Sequence, residues 1–192
     1  MTDRFDLRGK EIVDNGAGTG RSAIALAAHA RHVFAVEPAE SMRLVGEARV
    51  REMRLTNVSF HQGSGEALPL PDHAVDVFTG FTAGLQSFPE AARVLRRPGL
   101  IVLVDIAPDH YGGDLNAVLA HPTPELQRYS DWLVHELGFA FEDRESIQEY
   151  GSTQNIVETY GFIFGRKAIE YLRRTGQTSI RWTLRIHSLE LL

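Results

Sequence analysis

The chain has 192 residues, 20 basic and 25 acidic side chains, a formal net charge of −5 and no cysteine. A chain of that length can bury roughly 70% of its unfolded surface without staples. The lack of cysteine excludes a disulfide framework, thiolate zinc sites and a cysteine nucleophile, and the acidic balance argues against a nucleic-acid partner.

No apolar run approaches the roughly 20 residues of a membrane span. The N-terminus, MTDRFDLRGKEIV, lacks the apolar stretch of a signal peptide, so a cytoplasmic protein is expected. In chain order, KEIVD (10–14) predicts a short strand, followed by a glycine loop and an Ala-rich helix, GRSAIALAAHA. HVFAVE (32–37) is a second strand. PAESMRLVGEARVREMRL (38–55) is a helix with Met42, Val45 and Ala48 on one face. VSFHQG (58–63) and AVDVFTGF (74–81) are strands, and FPEAARVLRRPG (88–99) is a helix closed by Pro98-Gly99. LIVLVDIA (100–107) has the composition of a central strand covered on both faces.

TPELQRYSDWLVHELG (123–138) predicts a helix with Thr123 as N-cap, Pro124 at the first position and Gly138 as C-cap. RESIQEYGS (144–152) and SIRWTLRIHSLEL (179–191) alternate like strands near a sheet edge. The helix between them is expected to break at Gly161 and Gly165. Arg49, Arg51 and Arg54, and likewise Arg93, Arg96 and Arg97, fall at predicted helix ends, where cations complement the dipole. The alternation predicts an α/β fold with a mostly parallel sheet, helices on both faces and ligands at the C-terminal strand ends.

The first strand–helix turn, VDNGAGTGRS (13–22), carries three nucleotide-site patterns. A phosphate loop needs a lysine after its last glycine and a glycine where it opens, but Arg21 and Asn15 stand there. A dinucleotide loop needs its third glycine where Arg21 stands. Gly16-Ala17-Gly18-Thr19-Gly20 is also the tighter G-x-G-x-G of methyl-donor sites. Glu37, ending the second strand, suits a ribose diol in either of the last two patterns.

Four segments in one order extend the pattern beyond the loop: IVDNGAGTG, VFAVEPAESM, HQGSGEALPLPDHAVDVF and ARVLRRPGLIVLVDI. Together, over about residues 10–107, they resemble the class I S-adenosylmethionine-dependent methyltransferases, in particular the ubiquinone and menaquinone biosynthesis C-methyltransferases. The resemblance implies a Rossmann-like, doubly wound seven-stranded sheet with one antiparallel strand in the C-terminal hairpin. It implies a single domain over 1–192, with a cofactor half (1–107) and a substrate side (108–192). It also implies methyl transfer from S-adenosylmethionine to a small-molecule acceptor by in-line displacement, with S-adenosylhomocysteine as product.

The implied cofactor residues begin in the loop with Asp14, Gly16, Ala17, Gly18 and Gly20. Glu37, Pro38 and Met42 follow the second strand, with Glu37 on the ribose and Met42 against adenine. Ser64, Gly65, Glu66 and Thr79 complete the set. Many relatives carry an acidic residue where Ser64 stands, so weaker cofactor affinity is expected. About ten residues precede the first strand, where relatives often have covering helices. A lid is therefore expected from residues 155–175 or another subunit, unless the site stays open. The aromatic stretch TYGFIFGRKAIEYL (159–172) fits hairpin packing, a lid or a homodimer face.

On the substrate side, Asp105–Pro122 follows the central strand, and His110 and Tyr111 are the catalytic candidates, His110 as general base. No metal site is expected, because the histidines lack ligand spacing, and no G-x-S-x-G elbow supports a serine hydrolase. Two alternatives remain: a non-catalytic cofactor-binding or assembly subunit, and an NAD(P)-dependent oxidoreductase.

Overall fold

A computed structural model describes residues 4–110, 113–115, 118 and 124–192. Strand β1 (Glu11–Asn15) is buried from its second residue to its last. A strand so enclosed needs partners on both edges, and it pairs in parallel with β2 (His32–Val36) and β4 (Val75–Phe81). β3 (Val58–His61) adds to β2, and β5 (Leu95–Ile106) adds to β4, both parallel. With β6 (Ala140–Glu149) and β7 (Ser179–Leu191), the sheet runs β3-β2-β1-β4-β5-β7-β6, its C-terminal strands antiparallel. The dinucleotide order 3-2-1-4-5-6 has no such insertion.

The chain divides into two compact units, Met1–Asp105 with Ile186–Leu192, and Ile106–Arg185. In the first, α1 (Arg21–Ala27) buries Ala23, Leu26 and Ala27 against Ile12, Val33, Ala35 and Val77. In the second, α5 (Thr153–Thr175) packs Ile156, Ala168 and Leu172 with Ile180 and Trp182 of β7. Two aromatics of the 159–172 stretch pack with that core: Tyr160 stacks on Phe164 at 5.5 Å and lies 5.6 Å from Trp182. These contacts are of the hairpin-packing kind.

Four local expectations are corrected. Helix α2 (Glu40–Glu52) buries Gly46 and Val50, whereas Met42 and Val45 are exposed. The glycine decides the face: a Cβ at position 46 would lie 2.2 Å from the Phe60 ring, so only glycine lets the helix sit that close to β3. Helix α3 (Phe88–Val94) ends before Pro98, and the chain enters β5 at Leu95, which is fully buried and pairs with Val75. Proline disfavours helical backbone in the residue before it, so Arg97 runs extended within β5.

Helix α4 (Pro124–Asp131) starts at its proline as expected, but continues as a π-turn (Trp132–Glu136) before Gly138. Thr123 lies outside the described residues. In α5 only Gly165 breaks the helical backbone (φ 76, ψ −170). Gly161 stays helical, its bare Cα facing Ile169.

Candidate functional site

The glycine loop joins β1 to α1 at the C-terminal edge of the sheet. Gly16, Gly18 and Gly20 all have positive φ (69, 55 and 82), a region that L side chains rarely adopt. Gly16 must also be small, since a Cβ there would sit 2.5 Å from the Ala83 Cβ. At Gly18 the same construction meets nothing within 4 Å, so the backbone can be approached directly. The amides of Gly16 and Ala17 donate to the Val36 carbonyl at 2.9 and 3.0 Å, fastening the loop to the end of β2. Arg49, expected only to complement the α2 dipole, donates to the Thr19 hydroxyl at 2.9 Å.

Glu37 is 6% exposed. Its Oε2 accepts from the Gly18 amide and its Oε1 from the Ala39 amide, each at 2.9 Å. A carboxylate has about four lone-pair directions, so two acceptor positions are left for a ribose diol. Pro38, Met42 and Glu66 are exposed near these elements, Met42 at 48%.

Asp14 and Thr79, expected as ligand contacts, are fully enclosed. Asp14 accepts from the Ser22 hydroxyl at 2.5 Å and from the Thr79 hydroxyl at 3.3 Å, and Thr79 also donates to the Val13 carbonyl at 3.0 Å. Burial pushes the Asp14 carboxyl up to about 7, against the lowering effect of Ser22, Thr79 and the Ala23 amide. In this structure both side chains are spent on hydrogen bonds beneath the loop: Asp14 pairs with Thr79, one residue before the end of β1 and two before the end of β4.

One wall of the site was not foreseen. Asn15, 2% exposed, donates from Nδ2 to Gln86 Oε1 at 2.7 Å, and Gln86 Nε2 donates to the Ala83 carbonyl. Gly65 presses on both side chains, its hypothetical Cβ 2.1 Å from Gln86 Oε1 and 2.9 Å from Asn15 Nδ2. Ser64 bridges to Ala67 beside it.

Arg93 organises the following stretch. It donates to the carbonyls of Leu68 (3.2 Å) and Leu70 (2.9 Å) and to Asp72 (2.8 Å), and it pairs with Glu90 at 2.6 Å. Arg96 pairs with Glu11 at 2.6 Å, and Arg97 donates to the Leu192 carbonyl at 2.9 Å. These arginines are structural ties, where the sequence suggested dipole partners.

Beyond β4, Asp105 closes the first unit at the end of β5. It is 9% exposed, and its Oδ2 has no hydrogen-bond partner among the described residues. Burial alone pushes its carboxyl up to about 6. Sequence reading placed it in a substrate-facing segment without singling it out. Of the two catalytic candidates, His110 is exposed in a short 3-10 helix (Pro108–His110) of the second unit, and Tyr111 lies outside the described residues. Among the described residues no three His, Asp or Glu side chains gather as metal ligands.

The sheet order, its antiparallel C-terminal strands and a glycine loop tied to an acidic strand-2 end define the class I methyltransferase fold. Residues 12–99 match the family model described as a methyltransferase domain. The chain is 32% identical over 126 residues to YcgJ of Bacillus subtilis (strain 168), an uncharacterized methyltransferase, covering 62% of this chain and 48% of YcgJ. It is 42% identical over 71 residues to the ubiquinone/menaquinone biosynthesis C-methyltransferase UbiE of Rubrivivax gelatinosus, covering 37% of this chain and 27% of UbiE. These matches span about half or less of those relatives' length.

The crystal structure of YcgJ superposes with a TM-score of 0.67 at 21% identity, over 99% of this chain and 95% of that one. The [4+2]-cyclase SpnF shares the fold at a TM-score of 0.61 and 16% identity, over 97% of this chain and 77% of that one.

Proposed function

We propose that the protein transfers a methyl group from S-adenosylmethionine to a small-molecule acceptor in the cytoplasm. Because the same fold also serves a cyclase, the reading rests on the site and not on the fold. The observation that carries it is the Glu37–Gly18 hydrogen bond, which makes the acidic strand end and the glycine loop one rigid piece. Among the described residues no helix is long and apolar enough to cross a membrane.

The residues fit the cofactor. Gly18 offers open backbone to its amino-acid end, Glu37 has acceptor capacity left for the ribose hydroxyls, and exposed Met42 is a polarizable apolar surface for adenine. Ser64 can accept a hydrogen bond from the adenine amino group. S-adenosylmethionine supplies a methyl group on a sulfonium, a good leaving group. The protein's share of the chemistry is then alignment, up to about 7–11 kcal/mol. Asp14, Thr79, Asn15 and Gln86 act by fixing the loops that align.

Titration calorimetry with S-adenosylhomocysteine tests the reading: micromolar binding is expected, lost in Glu37→Ala. Tritiated-methyl transfer to a metabolite extract then separates an enzyme from a cofactor-binding subunit. Binding of NADH in place of S-adenosylhomocysteine would sink both.

A further inference from the structure

Alternate residues of a strand point to the same side, so Leu103 and Asp105 of β5 share one face of the sheet. The register carries that face across the neighbours: Leu103 pairs with Gly80 of β4, and Gly80 with Asn15 of β1. This is the face on which Asn15 meets Gln86 and Gly65. Two strand spacings, roughly 10 Å, separate Asn15 from Leu103. Asp105 lies one side-chain repeat beyond Leu103, toward the C-terminal strand ends where ligands bind in open α/β sheets.

The fold makes no use of this carboxylate that the described residues show. The strand ladder at the end of β5 is closed by the Thr82 amide donating to the Val104 carbonyl at 2.8 Å, without Asp105. Its buried Oδ2 is unpartnered among the described residues, an arrangement that costs stability and persists when it serves something else.

We infer that Asp105 is the general base of the transfer, and that the acceptor presents to it a hydroxyl on an aromatic or enolic carbon. This rests on the methyl-transfer reading above. The acceptor O–H proton passes to Asp105 as the acceptor oxygen, or the carbon conjugated with it, bonds to the methyl carbon. The sulfur–methyl bond breaks with its electron pair on sulfur, leaving the neutral thioether, and the proton later leaves Asp105 for water. Burial raises Asp105 to about 6, so it is a stronger base than an ordinary carboxylate and still ionised at neutral pH. Phenolic hydroxyls, with pKa near about 10, are within reach of such a base when proton loss accompanies bond formation. Aliphatic alcohols are far weaker acids and are not.

The test compares wild type with the isosteric Asp105→Asn, using tritiated S-adenosylmethionine and three probes at neutral pH. These are 2-naphthol, which is protonated, 4-hydroxycoumarin, which is already ionised, and cyclohexanol. Wild type is expected to methylate the first two and not the third. Asp105→Asn should lose about 100-fold or more on 2-naphthol and little on 4-hydroxycoumarin, with S-adenosylhomocysteine affinity and melting temperature held or raised. Equal losses on both probes, or none on 2-naphthol, overturn the base. Wild type that binds S-adenosylhomocysteine but methylates neither probe overturns the acceptor class, whereas failure to bind it overturns the methyl-transfer reading itself. If the asparagine variant does not fold, Asp105→Ala with added formate replaces it: recovery on 2-naphthol supports the base, and no recovery overturns it.

Discussion

The Glu37 carboxylate accepts the Gly18 amide proton at 2.9 Å across 19 residues of sequence, and its other oxygen holds the Ala39 amide. Removing it therefore acts twice, on ligand and on loop. Glu37→Ala should weaken S-adenosylhomocysteine binding by about 100-fold or more, since hydrogen bonds to a charged group are worth about 1.5–3 kcal/mol each. Glu37→Gln keeps an oxygen for the Gly18 amide but turns an NH2 donor toward the Ala39 N–H. It should therefore lose affinity and part of the melting temperature, less of the latter than Glu37→Ala. Calorimetry and thermal melts on both variants check this. Unchanged affinity in Glu37→Ala removes the ribose role.

Gly46 is where α2 touches β3, and a Cβ there would enter the Phe60 ring. The neighbour is the far end of a side chain, so the ring must turn or the helix must lift. Overpacking of this kind costs about 1–3 kcal/mol. Gly46→Ala should lower the melting temperature, and Phe60→Leu in the same chain should recover part of the loss. A single variant as stable as wild type would show that the contact is not tight.

Gly46 also shows what the sequence hid. The strands and the loop glycines were legible because period, burial and positive φ are local demands, and Gly16, Gly18 and Gly20 announce theirs by residue type. The buried face of α2 was not legible: apolar spacing pointed to Met42, Val45 and Ala48, while a glycine without hydrophobicity set the contact. Asn15 looked like a loop residue, because nothing local says that Gln86, 71 positions on, will receive its amide. Thr79 was hard to read for the opposite reason. Its place near a strand end suggested access, but it lies two residues before the end of β4 and is fully buried. Asp105 was hidden because the want of a partner for its Oδ2 among the described residues leaves no trace in sequence.

The family resemblance implies a carboxylate at the position of Ser64, which bridges to Ala67. The residue is only partly buried, so a carboxylate introduced there keeps some solvent. Ser64→Asp should therefore tighten S-adenosylhomocysteine binding several-fold, as a charge-assisted acceptor replaces a neutral one. Calorimetry at low and high salt reads the change. No gain in affinity counts against contact between this position and the adenine amino group.

Asp14 gives the fold a pH dependence of definite sign. Its carboxyl is raised by burial to about 7 in the folded chain, from an ordinary value of 3.8. Below about pH 4 both states are protonated and the residue costs nothing. As pH rises from there to 7 the unfolded chain releases its proton while the folded chain keeps it, so stability falls, by about 4 kcal/mol at most. Asp105, raised to about 6, adds a smaller loss of the same sign over a narrower range. His61 acts oppositely: burial, with His32 nearby, lowers its pKa, so stability falls as the imidazole is forced to charge on acidification. Comparing wild type with Asp14→Asn isolates the first effect, because the other groups are common to both. The Ser22 hydroxyl can turn to accept from the new amide, so the variant should fold. Its melting temperature relative to wild type should climb steadily between pH 4 and 7 and level off above. A difference that stays flat across that interval would mean that Asp14 titrates normally, and that the base of the glycine loop is open to water.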